Sequence, residues 1–192
     1  MTAGARTYDP VGPDRAERVH ALYRTAPDYF ETLSIPLPSV EEVRTDLATA
    51  ASDPRRITEL VLLPDDRLDG GSIETGIDAA YLDLTVDYLR PGDATVNLVL
   101  VRGDLQRRGI GRAIVGDVER RLAGRYKRLL ASVYGRNPDA RRFWTSMGFH
   151  FAIDAGPVLE WYAKRLGPSE ASRSETDGVV LRNEPQAGEP PS

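Results

Sequence analysis

Gln106, Gly109 and Gly111 stand in the run Gln106-Arg107-Arg108-Gly109-Ile110-Gly111-Arg112. Before them lies an apolar stretch, Leu98-Val99-Leu100-Val101. After them Ile110, Ile114, Val118 and Leu122 recur every four residues with charges between. The change of period predicts a buried strand, a glycine-bearing loop and an amphipathic helix. A helix start of this kind aims free main-chain N–H groups at one spot, and small residues let an anion approach the backbone. The chemistry implied is phosphate binding. A nucleoside-triphosphate loop would continue with Lys-Ser or Lys-Thr, and neither follows. A dinucleotide fingerprint needs a third glycine where Ile114 stands. A nucleotide-binding domain is therefore the weaker reading.

A second set of residues could move protons. Asp83 and Asp87 alternate with Thr85 along an apolar run and share one face of the strand it predicts. A carboxylate in a partly dry pocket has a raised pKa and can accept a proton or hold a cation; on a solvated face it does neither. Tyr134 closes a later apolar run and offers a hydroxyl, with packing at a rim as the alternative role. Asn97 is a polar group on the same face of its strand as Val99. His20 and His150 lie far apart, and a lone helical histidine such as His20 is more often a surface residue than a base. There is no cysteine, which excludes disulfides, a cysteine nucleophile and thiolate metal sites. No metal is expected.

The elements that must position these groups follow from pattern and punctuation. A short edge strand is expected at 5–9 and a helix from Asp14 to Tyr23. Ala26 to Phe30 closes that helix and leads into a proline-rich connection through Pro38, an aromatic loop that could wall a pocket or plug the core. Ser39-x-x-Glu42 has capping-box spacing for a helix carrying Val43, Leu47 and Ala50 inward. Strands are expected at 57–63, 79–89 and 94–101, forming an antiparallel meander, with a turn-prone mobile connection at 64–76. The run 127–134 is a further strand, parallel to 94–101 if the intervening helix is a crossover. A helix from Asp139 to Met147 ends at Gly148, and two last strands fill 149–154 and 158–164. From Gly167 the chain has few apolar residues and is expected to be disordered.

Asn137-x-x-Ala140-x-x-Phe143-Trp144-x-x-x-Gly148-Phe149 lies behind the first motif. Together with Gln106-x-x-Gly109-x-Gly111 it resembles the two signatures of the GNAT superfamily of N-acetyltransferases. The resemblance is sharpest over 95–150 and extends by element order to about 5–165. It implies one GNAT domain over 1–166: a mixed, mostly antiparallel α/β sheet flanked by helices, splayed between its fourth and fifth core strands. It implies acetyl-CoA as co-substrate, bound in the splay. Main-chain groups of Val99 and Val101 would meet the pantetheine arm. Main-chain N–H groups from Gln106 through Gly109, Ile110, Gly111 and Arg112 would hold the pyrophosphate, with charge from Arg107, Arg108 and Arg112. Asn137 would hydrogen-bond the cofactor or cap its helix, and Phe143 and Trp144 would complete the wall. Trp144 departs from the tyrosine of many relatives. An indole N–H donates but does not titrate usefully, so Trp144 is not expected to act as an acid. The implied reaction is direct attack of a small-molecule or peptide primary amine on the thioester, with Asp87, Asp83 and Tyr134 as candidate acid–base groups. A non-catalytic acyl-CoA-binding or regulatory module of the same fold is the alternative.

Composition agrees with such a domain. The chain has 192 residues, 41% of them hydrophobic and 28% charged, and a formal net charge of −4. That charge gives no reason to expect nucleic acid. No apolar run is long enough to span a membrane, and the first residues lack the apolar core of a signal peptide, so the cytoplasm is the expected location. The sequence leaves self-association into a homodimer open.

Overall fold

The computed structural model describes residues 6–64, 76–135, 137–154 and 159–168. The expected mobile connection at 64–76 and the expected disordered tail fall almost wholly outside these residues.

Seven strands form one sheet: β1 (Thr7–Pro10), β2 (Arg56–Leu63), β3 (Ile77–Val86), β4 (Asp93–Val101), β5 (Arg128–Tyr134), β6 (His150–Asp154) and β7 (Leu159–Arg165). Their order is β1-β2-β3-β4-β5-β7-β6. The pair β4–β5 is parallel and every other pair is antiparallel. β7 lies between β5 and β6, so the last hairpin enters the sheet with its final strand innermost. The meander over β2–β4 and the parallel crossover match the sequence-based expectation.

Helices α1 (Ala16–Arg24) and α3 (Val40–Ser52) cover one face, where Val19, Leu22, Val43 and Leu47 pack on Leu60, Tyr81 and Leu100. Helix α4 (Ile110–Leu122) covers the other with α5 (Pro138–Ser146), where Ile114, Val115, Val118 and Trp144 pack on Leu82, Leu84, Val96 and Leu129. The alternation read along β3 is thus real, but neither face is solvated. Both are buried, as strands sandwiched between helix layers must be.

Local chemistry explains the helix ends. Ser39 and Glu42 form the capping box at α3, with Ser39 N–H donating to Glu42 at 2.7 Å and Glu42 N–H to Ser39 Oγ at 3.3 Å. The Asn137 side chain accepts the Ala140 N–H at 2.9 Å, and Pro138 occupies the first turn of α5, where its missing N–H costs nothing.

Three expectations need correction. Pro27–Leu33 is not a loop but a helix, α2. Pro27 breaks α1 and, by the same fixed φ, starts the next helix. Ser34, left-handed at φ 55°, ends it. Second, β3 stops at Val86. Asp87 has φ 52° and lies in the β3–β4 turn, where its carboxylate accepts the Gly92 N–H at 2.7 Å. Third, β4 carries a bulge. Val96 pairs with Leu84 and Leu98 with the adjacent Asp83, so Asn97 is the extra residue. Leu98 then joins the α1–α3 face while Val99 joins the α4–α5 face, and the Asn97 side chain reaches Asp83 and Thr85, away from Val99.

Candidate active site

The bulge marks the place where the sheet opens. β4 and β5 pair from Asp93–Arg128 to Val96–Ala131 and no further. Beyond that point β4 runs on to Val101 with one edge uncovered. Arg102 N–H donates to Ala79 on β3 at 2.8 Å. Neighbouring residues of a strand aim their main-chain groups to opposite edges, so Leu98 and Leu100 serve β3 while Val99 and Val101 face the gap. Carbonyl contacts on the open side agree: Asn97 C=O accepts Ser132 Oγ at 3.3 Å, and Val101 C=O accepts Gln106 Nε2 at 3.0 Å. Gln106 therefore spends its side-chain amide on tying the loop to the end of β4.

The gap is a cleft of about 770 Å³. Val99, Val101, Gln106, Arg107, Gly109, Ile110, Gly111 and Arg112 line it, together with Tyr134, Asn137, Phe143 and Trp144. The structure thus brings nearly all the sequence-derived cofactor residues to one place. Arg108 is exposed on the same loop but does not line the cleft. Asp83 and Asp87 do not line it either. Asp83 is buried behind Asn97 and holds Arg56, with Nη2–Oδ2 at 2.5 Å. Asp87 is in the turn at the opposite end of β4. The premise that made them bases, a shared strand face beside the cofactor, does not survive the turn at Asp87 and the bulge at Asn97.

The loop is shaped to present N–H groups. Arg107 and Gly109 are both left-handed, at φ 61° and 82°, a geometry that turns successive N–H groups toward one side. No side chain caps α4, and its first internal bond from outside the helix runs from Ala113 N–H to Gly109 C=O. The amides of Arg107 through Arg112 therefore have no main-chain acceptor at the start of α4, where the helix dipole is positive, whereas the Gln106 N–H, expected among them, donates to the Gly103 carbonyl at 3.2 Å. Cations surround this mouth. Arg112 is braced on Ser146, with Nη2 2.9 Å from Oγ. Arg107, whose side chain is 88% exposed, stands 3.5 Å from Asp139, which also pairs with Arg142.

The cleft passes through the sheet. Its far mouth is on the α2 side, lined by Asp28, Tyr29, Thr32 and Leu33. Burial, with Tyr134 nearby, pushes the Tyr29 hydroxyl up to about 12. Tyr29 is thus a hydrogen-bond donor and not a base near neutral pH. Tyr134 is 53% exposed at the open end of β5. Trp144 is buried between Phe143 and Phe149, with ring centroids 5.0 and 4.9 Å away.

Sequence reasoning missed two contributors. One is the helical form of α2, hidden by Pro27 at its start. The other is Gly103, whose N–H donates to Thr25 Oγ1 at 3.0 Å. A Cβ there would stand 1.8 Å from the Thr25 carbonyl oxygen, so only glycine lets the α1–α2 corner rest on the loop that follows β4. A glycine just after a strand was the available signal. Its partner, 78 residues earlier, was not.

Among the described residues, no group of three or more His, Asp or Glu side chains is placed to hold a metal ion, and no helix is long and apolar enough to cross a membrane.

Residues 78–155 match the model of the FR47-like protein family. No curated protein matches. Among solved structures, the chain is similar to an acetyltransferase from Thermus thermophilus, at 34% identity and TM-score 0.76, over 86% of this chain and 100% of that one. It shares its fold with a GNAT-family protein from Desulfovibrio desulfuricans, at 16% identity and TM-score 0.60, over 85% and 99% of the two chains. It also shares it with a Vibrio cholerae spermidine N-acetyltransferase, solved with CoA and spermine, at 12% identity and TM-score 0.61, over 84% and 95%. With the splayed β4–β5 pair, the amide-lined loop before α4 and an acetyltransferase one-third identical over its whole length, this chain belongs to the GNAT superfamily of N-acetyltransferases.

Proposed function

We propose that this protein transfers the acetyl group of acetyl-CoA to a primary amine by direct attack in a ternary complex. The observation that carries the reading is the pairing of two main-chain surfaces in one cleft. The amides before α4 suit a diphosphate, and the uncovered edge of β4 suits the amide groups of pantetheine. Both matches are to backbone, so neither depends on a titrating side chain. The Vibrio cholerae relative was solved with CoA, which agrees with this choice of cofactor.

In this reading the cofactor enters between α4 and α5, and the acceptor enters past Asp28 and Tyr29. The amine nitrogen, deprotonated to solvent, attacks the thioester carbon, and the Val99 N–H receives the developing oxyanion. The nitrogen gives up its second proton to solvent as the C–S bond breaks, and the thiolate takes a proton from the Tyr134 hydroxyl, which solvent restores. Trp144 packs against the cofactor and moves no proton. Asn137 caps α5 through Oδ1 and offers Nδ2 to the cofactor arm, so both its roles coexist. No covalent enzyme intermediate is needed, which fits a chain without cysteine.

The second reading, a non-catalytic acyl-CoA-binding module, draws on Trp144 and on the position of the candidate bases Asp83 and Asp87 outside the cleft lining. A panel of primary amines with acetyl-CoA decides between them. CoA-thiol release with at least one amine supports transfer. Stabilisation by CoA without release on any amine supports the module. Thermal stabilisation by ATP or NAD and not by CoA would discard both, since a ligand stabilises the fold that binds it.

A further inference from the structure

Asn97 occupies the point where β4 and β5 part. As the extra residue of the bulge it has no partner of its own on β3, yet both its side chain and its carbonyl are held. Its Nδ2 donates to Asp83 Oδ1 at 2.9 Å and to Thr85 Oγ1 at 2.7 Å. The Asp83 side chain is 6% exposed and receives Arg56 through Nε at 3.1 and 3.2 Å and Nη2 at 2.5 Å. On the other edge, Ser132 Oγ reaches the Asn97 carbonyl at 3.3 Å, one residue past the last β4–β5 pair. The side chain of the bulge residue is thus bolted to β3, and its carbonyl to β5. Everything that β4 presents to the cleft, from Val99 onward, departs from this point.

We propose that Asn97, with Asp83 and Arg56 behind it, is a positioning residue that sets the direction of the Val99 N–H and so the polarisation of the acetyl thioester carbonyl. The inference rests on the acetyl-CoA reading above. A bulge bends and twists the strand that carries it, and its angle is soft unless something pins it. A donor must lie about 2.7–3.1 Å from the oxyanion to stabilise it. A displacement of about 1 Å at such a donor costs on the order of 100-fold in rate. The Asn97 amide, held by two acceptors of which one is ion-paired, is a pin of the required stiffness. It also explains why a carboxylate is buried behind the cleft without lining it: Asp83 serves the backbone and not the substrate proton.

The test uses acetyl-CoA labelled with 13C at the thioester carbonyl, bound to the full chain. The infrared band of that carbonyl reports its polarisation, and CoA titration separately reports affinity. In the unsubstituted protein the band is expected to move to lower frequency than in free acetyl-CoA. In Asn97→Ala it should return to the free position, with the Kd for CoA changed by less than about 3-fold, because the pyrophosphate amides are untouched. Ser132→Ala, which removes one tether and keeps the side-chain bolt, should recover part of the shift. A purely structural role would lower the melting temperature and leave the band in its wild-type place, which would overturn the inference. So would an unshifted band in the unsubstituted protein. Failure of the unsubstituted protein to bind CoA at all would instead overturn the acetyl-CoA reading. If Asn97→Ala does not fold, Asn97→Ser and Ser132→Ala decide the matter by the same band.

Discussion

The two halves of β4 have opposite surroundings. Asp93–Val96 is paired on both edges, and Ala94, Thr95 and Val96 are buried. After the bulge at Asn97, Leu98–Val101 keeps its pairing to β3 and has none to β5. The first half adds to the stability of the sheet. The second exposes main-chain groups that would be a liability at an ordinary sheet edge. Here they are sheltered in a cleft, closed above by the loop before α4 and below by the vertex at Asn97. A strand can thus give one stretch to folding and the next to binding, with only a bulge between.

Substitutions should respect that division, and the largest effect should fall on the open half. Gly111→Glu is expected to lower CoA affinity by at least about 100-fold, by placing a carboxylate where the diphosphate sits, with the melting temperature little changed. Its Cβ would make ordinary contacts of 3.6 Å with Phe143 and Val101, so backbone packing does not forbid the change. Unchanged affinity in a calorimetric titration would remove the loop assignment. Opposite the paired half, Leu129 on β5 pairs with Ala94 and is fully buried, and Leu129→Ala should cost about 2–5 kcal/mol in denaturant unfolding. Val99→Ala, on the cleft wall, should cost less than about 1.5 kcal/mol and leave main-chain contacts intact. Equal losses at the two sites would erase the distinction.

Away from the cleft, Asp117 on α4 clamps the first residues of the sheet. It accepts Arg6 Nε at 2.7 Å and the Tyr8 hydroxyl at 2.6 Å, with 14% of its side chain exposed. Burial pushes its carboxyl upward, but the Arg6 and Tyr8 hydrogen bonds outweigh this and hold it below the usual carboxylate range. A depressed folded-state value contributes stability that is complete above the unfolded value of about 3.9 and is lost as pH falls through the folded one. Asp117→Asn should therefore destabilise by about 1–2 kcal/mol at neutral pH, a gap that closes on acidification below about pH 4, with CoA affinity unchanged. A gap independent of pH would refute the charge-based account. Asp87→Asn should have the smallest effect. The turn bond to Gly92 N–H can be kept by the amide oxygen, and turnover should stay within about 2-fold at every pH. A slow, pH-shifted turnover would return Asp87 to the proton path.

Much of this was readable from residue types alone, for a physical reason. The capping box at Ser39, the periodicity of α4, the apolar runs of β3, β4 and β5 and the two signature motifs are local patterns. Local sterics and hydrogen bonding enforce them wherever the chain goes. That made the order of the elements and the unit of strand, glycine-bearing loop and helix legible in advance. The misreadings share a cause as well. Pro27 reads as a breaker until the next helix is seen to start on it. Asp83 and Asp87 read as one face until a left-handed residue ends the strand between them.

What the chain determined by itself was therefore its elements: which segments are apolar, where helices begin, which loop carries the glycines before α4. The tertiary structure alone decided which edge of β4 is uncovered and where. That depends on Asn97 meeting Asp83, Thr85 and Ser132, from strands 14, 12 and 35 residues away. It also depends on Arg56 reaching Asp83 from 27 residues before it. Hydrogen bonds between distant strands leave no period in a sequence, because the polar residues that make them look the same whether they face a partner or water.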